Sequence, residues 1–145
     1  MISVPLITTL FASLGLGALL GLERELRECP AGLRTHTLVC LGSTVFTLAS
    51  VAFAGPSVDI SRIAGQVVVG IGFIGGGVIF KEKSKVIGLT TAATLWMAAG
   101  IGILAGIQEF LLGLIVVILS IFVLSGGYWI EKHIIHKGHP SCLKP

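Results

Sequence analysis

Four residues near the C-terminal end, His133, His136, His139 and Cys142, recur at every third position. Imidazole and thiolate are good ligands for zinc-like ions, so the spacing admits a metal or pH sensor. Gly138 and Pro140 interrupt any continuous helix there, and a solvated tail is the competing reading. A second set, Asp59, Arg62 and Gln66, stacks on one helical face through spacings of three and four. It reads either as an Asp59–Arg62 surface pair with Gln66 one turn deeper, or as a functional polar cluster at the mouth of an apolar segment. A third set, His36, Cys40, Ser43, Thr47 and Ser50, follows helical spacing through a greasy stretch. Polar groups facing lipid are costly, so this stripe should point inward. Its hydroxyls can also bond back to their own helix, and His36, near one end, reads as interfacial.

Other patterns exclude chemistry. Gly70-Ile71-Gly72-Phe73-Ile74-Gly75 matches a dinucleotide fingerprint in form, but no strand precedes it and no βαβ pattern surrounds it. No Walker A sequence and no nucleophile–base pair are present, and the cysteines Cys29, Cys40 and Cys142 fit no zinc framework. The reading is of a protein that is not an enzyme and calls for no cofactor. The segment Glu23-Arg24-Glu25-Leu26-Arg27-Glu28 alternates in sign and reads as an ion-pair network or a contact surface, with Arg24 as a candidate functional residue. Lys81-Glu82-Lys83-Ser84-Lys85 suits anionic lipid headgroups.

The elements that hold these residues are membrane spans. Charged residues make up 12% of the 145 and mean hydropathy is +1.00, whereas a soluble domain carries about 25% charge. Five segments approach the roughly 20 apolar residues a helix needs to cross the bilayer: 2–22, 35–54, 62–80, 86–106 and 110–130. Polar breaks fall at 23–34, 55–61, 81–85 and 107–109, and a tail covers 131–145. The fold class is therefore an all-α membrane bundle of about five transmembrane helices. Nine of the ten Lys and Arg residues fall on the side of the first and third breaks and the tail, with Arg62 opposite. By the positive-inside rule that side is cytoplasmic, the N-terminus is outside and the C-terminus is inside. The N-terminus lacks a basic n-region and a cleavage site, so the first span is read as retained. Tyr128 and Trp129 read as an interfacial anchor, and Trp96, mid-helix, as a filler of the bundle. Gly17/Gly21, Gly72/Gly76 and Gly102/Gly106 are small-xxx-small pairs that favour close helix packing, within the chain or between copies in a homo-oligomer.

Five stretches resemble the membrane domain of the MgtC/SapB family of bacterial inner-membrane proteins. They are Gly21-Leu22-Glu23-Arg24-Glu25, Ala31-Gly32-Leu33-Arg34-Thr35-His36-Thr37-Leu38, Ser61-Arg62-Ile63-Ala64-Gly65-Gln66-Val67-Val68, Gly70-Ile71-Gly72-Phe73-Ile74-Gly75-Gly76-Gly77-Val78-Ile79 and Gly88-Leu89-Thr90-Thr91-Ala92-Ala93-Thr94-Leu95-Trp96. The resemblance implies a multi-pass protein of the bacterial inner membrane, adapted to low magnesium and stress, with restraint of the proton-driven ATP synthase as the leading regulatory role. It points to Glu82, and to Thr90 and Met97, where the family has Asn and Cys. Both departures weigh against a virulence-type role. The short form, a transmembrane domain at 1–130 and a cytoplasmic tail at 131–145, is more like SapB. The expected functional residues are Glu82, Thr90, Met97, Asp59, Arg62, Gln66, Arg34, His36 and Arg24. The expected partners are membrane lipids, another membrane complex such as the ATP synthase, and further copies of the chain, with no nucleic acid. The alternative is a transporter or channel component for Mg²⁺ or another cation, for which carboxylate ligands are needed. The seven acids all sit near helix ends.

Overall fold

The computed structural model describes residues 4–55, 59–82 and 85–133. Five helices follow in order: α1 (Val4–Leu26), α2 (Leu33–Ala52), α3 (Ser61–Gly77), α4 (Leu89–Gly106) and α5 (Phe110–His133). A two-stranded antiparallel hairpin, β1 (Phe80–Glu82) and β2 (Lys85–Ile87), joins α3 to α4. The helical bundle expected from the hydropathy pattern is present, with this hairpin added where a bare polar break at 81–85 was expected. The third span is also shorter than 62–80. At 1.5 Å per residue, the 17 residues of α3 reach about 25 Å, under the roughly 30 Å of hydrocarbon. The other four helices are each long and apolar enough to cross a membrane.

The ends of the helices are set by local chemistry. Past the end of α1 the chain turns at Glu28, whose φ is 56°, and Cys29 N–H returns to the Arg24 carbonyl at 3.1 Å. The Glu25 carboxylate accepts the Leu33 N–H at 2.9 Å and so satisfies an orphan donor in the first turn of α2. Gly32 leaves room for that carboxylate, which a Cβ there would displace. The hairpin reaches α4 through Gly88, at φ 91°, with the Val78 carbonyl packed where a side chain would stand.

Two apolar clusters form the core. Leu16 and Leu20 of α1, Cys40 of α2, Ala98, Ile101 and Ala105 of α4 and Val117 of α5 make the larger. Ala31, Ile71, Leu95 and Ala99 make the smaller. Phe11, Phe73, Leu111 and Phe122 all point outward. Such a surface is untenable in water and ordinary in lipid. Because lipid tails are as apolar as leucine, the bundle is held by close van der Waals approach and interhelical hydrogen bonds. Close approach is most evident at α2. A Cβ on Gly17 would lie 2.7 Å from Cys40 Cβ, one on Gly106 would lie 2.5 Å from Thr47 Cβ, and one on Gly102 would drive into the Cys40 carbonyl. Gly72 and Gly76 differ, since a Cβ on either would meet nothing within 4 Å. Trp96 does not fill the bundle. The buried face of α4 runs through Thr91, Thr94, Leu95, Ala98 and Gly102, and Trp96 stands off it, 54% exposed.

Candidate functional site

The inward stripe of α2 is buried as its spacing requires: His36, Cys40, Ser43, Thr47 and Ser50, together with Thr44. Several hydroxyls do bond back to their own helix. Ser43 donates to the Val39 carbonyl and Thr47 to the Ser43 carbonyl, each at 2.8 Å. Others link helices. The Thr44 hydroxyl lies 3.0 Å from the Cys40 carbonyl and 2.8 Å from the Gly102 carbonyl of α4. Its one proton is committed to these carbonyls, so Ser13 of α1 donates to Thr44 Oγ1 at 2.6 Å. Ser50 donates to the Ile60 carbonyl and ties down the segment before α3.

His36, near the start of α2, is the most constrained of the set and is fully buried between the helices. Its Nδ1 lies 2.9 Å from the Gly32 carbonyl, which can only accept, so Nδ1 carries a proton. Its Nε2 lies 3.0 Å from Thr94 Oγ1, and that hydroxyl lies 2.9 Å from the Thr91 carbonyl. With a neutral ring, Thr94 donates to Nε2. With an imidazolium, Nε2 donates to Thr94, whose proton turns to Thr91. The same heavy-atom positions satisfy both forms.

Arg24, 3% exposed, closes this end of the bundle. It pairs with Glu23 at 3.3 Å and donates to the Cys29 sulfur. Glu23 also pairs with Arg27, whose guanidinium lies 4.6 Å from the centre of the Tyr128 ring and donates to Ser125 Oγ at 3.2 Å. The charged run therefore joins the end of α1 to the end of α5 as an ion-pair network, and Tyr128 is fastened to it.

The remaining candidates lie outside this knot. Asp59, Arg62 and Gln66 are all exposed. Asp59 does not form an ion pair with Arg62 among the described residues. Its Oδ1 accepts the Ser61 N–H at 2.9 Å and the Ser61 hydroxyl at 2.7 Å. These bonds to the charged form, with a smaller contribution from Arg62, hold the Asp59 carboxyl below the usual carboxylate range. Gln66 instead shares a groove between α2 and α3 with Arg34, which is also exposed. Glu82 faces Lys85 across the hairpin, and Thr90 is exposed in the first turn of α4. No hydrogen bond joins Glu82 to Thr90 among the described residues. Met97 is half-buried against the larger core cluster. His133 stacks on Trp129 with ring centres 5.1 Å apart, while His136, His139 and Cys142 lie outside the described residues. Among the described residues, no group of three or more His, Cys, Asp or Glu side chains could hold a metal ion.

Of the partners of the two central polar links, Ser13 is not marked by the sequence, and Thr94 reads there only as one of three threonines, with Thr90 and Thr91, at the start of the fourth span near the cytoplasmic interface. The available signal was a hydroxyl facing inward at the same depth as a stripe residue on a neighbouring helix, which requires the helix pairing to be known.

Length, apolarity and an inward polar seam define a multi-pass helical membrane protein. A family model described as the MgtC family matches residues 10–133, and the chain belongs to that family. Curated relatives include the protein named MgtC from Salmonella typhimurium, 51% identical over 110 residues, covering 76% of this chain and 47% of that protein. The protein of the same name from Brucella abortus is 52% identical over 91 residues, covering 63% of this chain and 38% of that protein. The matched region thus spans about half or less of these relatives. No solved structure matches.

Proposed function

We propose that the chain is a regulatory protein of the bacterial inner membrane that adapts the cell to magnesium limitation or related stress. It acts by docking on another membrane complex, with the proton-driven ATP synthase the first candidate, and does no catalysis of its own. The N-terminus faces outward and the basic loops and tail face the cytoplasm. The observation that carries this reading is the β1–β2 hairpin. It presents Lys81, Glu82 and Lys85 on an exposed strand pair, with Thr90 exposed just beyond it. The inward side chains of His36, Ser43, Thr44 and Thr47, by contrast, are engaged with Thr94 or with backbone carbonyls. Family membership supports the same reading. The open glycines of α3 add a face on which copies of the chain can associate.

The test is ATP-driven proton pumping in inverted membrane vesicles, with and without the protein, at fixed Mg²⁺. Pumping should fall when the protein is present, and Glu82→Ala should restore most of it. Equal pumping in all three preparations would refute the docking reading and move the weight to cation transport, measured as flux in proteoliposomes. What weighs against transport is the engagement of the seam's hydroxyls: Ser43, Thr44 and Thr47 already bond backbone carbonyls that an ion path would need.

A further inference from the structure

A groove of about 720 Å³ runs between α2 and α3. Its size is that of a ligand site. Its walls are almost wholly apolar, with Leu38 and Phe46 on α2 and Val67 and Ile74 on α3. Two glycines lower the walls, Gly42 on α2 and Gly70 on α3, and a Cβ on either would meet nothing within 4 Å. The groove is therefore open at the places where side chains would otherwise close it. Arg34 stands at one end, exposed and without an ion-pair partner among the described residues. It lies in the first turn of α2, where the helix dipole adds positive potential. From Arg34 to Phe46 the slot extends about 18 Å at 1.5 Å per residue.

We propose that this groove binds one anionic phospholipid, with an acyl chain laid along the slot and the phosphate on Arg34. The charge arrangement selects the occupant. A single cation at the end of an apolar channel matches a molecule with one anionic head and a long hydrocarbon tail. The shape agrees. The slot is long, runs along the helices and is lined by aliphatic and aromatic side chains, as an acyl chain requires. Arg34 also belongs to the basic side of the chain, where anionic headgroups gather.

The full chain is purified in detergent, and lipid retention is counted by native mass spectrometry during titration with phosphatidylglycerol or phosphatidylcholine of equal chain length. The wild-type chain should retain one phosphatidylglycerol at least tenfold more tightly than phosphatidylcholine. Arg34→Gln should abolish that preference. Gly42→Leu, which fills the slot, should abolish retention of both lipids, and Gly70→Leu should do the same from the opposite wall. A preference that survives Arg34→Gln, or retention that survives both leucine variants, overturns the proposal. So does efficient cross-linking of Gly42→Cys between two copies, which would make the occupant a second chain.

Discussion

Gly17 and Gly21 on α1, and Gly102 and Gly106 on α4, lie so close to α2 that a methyl group on any of them would strike its atoms. Gly72 and Gly76 on α3 have the same spacing and meet nothing. The α1–α2–α4 unit is a sealed wedge in which small residues let backbones approach and hydroxyls cross between helices. Helix α3 presents Gly72 and Gly76 outward and bounds a groove instead. A small-xxx-small pair states that a close approach is permitted. Whether the approach happens depends on which face the neighbouring helix occupies, and that is a property of the whole bundle.

The contrast is sharpest under substitution. Gly102→Ala should force α4 away from the Cys40 carbonyl and destabilise the protein by about 2–3 kcal/mol, the upper part of the roughly 1–3 kcal/mol that overpacking a tight interior costs. Denaturant unfolding in detergent would read the change. A result near zero would mean that the wedge is looser than its geometry. Thr94→Val removes the Nε2 partner of buried His36 and should cost about 1 kcal/mol. It should also change the pH dependence of the His36 ring resonances, which report the two bonding patterns described above. Gly72→Ala should shift stability by no more than about 0.5–1 kcal/mol, toward the folded state, because alanine is the better helix former and the site is open. A large loss there would show that α3 is covered in the native assembly.

The smallest effect belongs to Asp59. Its folded-state pKa is depressed by the Ser61 bonds. The turn they form is therefore fully stabilised above the ordinary carboxylate pKa of about 3.9 and weakens as pH falls through the lower folded value. Amide exchange at the start of α3 should accelerate in that acid window, with α1, α2 and α4 unaffected. Asp59→Asn should remove the dependence.

What could be read from the sequence follows the reach of each physical signal. Apolar length announced five helices, and the 3.6-residue period placed His36, Cys40, Ser43, Thr47 and Ser50 on one inward face. The enclosure of His36 could not be read the same way. Its place near a helix end suggests an interface, and its enclosure there depends on Arg24 from α1 and Thr94 from α4. The hairpin was hidden because three-residue strands are too short to show alternation, and Lys81 and Lys85 look like an ordinary polar break. Trp96 misled because mid-span position says nothing about the side of the helix. Arg34 and Gln66 were each marked as polar candidates, but their common groove exists only once α2 and α3 run antiparallel.

The order of the wedge along the chain also has a consequence for biogenesis. Its third wall, α4, is made after α3, although α3 is not part of the wedge. At about 5–20 residues per second, the stretch from the end of α3 to the end of α4 takes a few seconds to synthesise. Until then the side of α2 that Gly102 and Gly106 seal has no wall supplied by α4. The hydroxyls on that face meet this interval already bonded to carbonyls of their own helix, so what waits for α4 is the link from Thr44 to the Gly102 carbonyl.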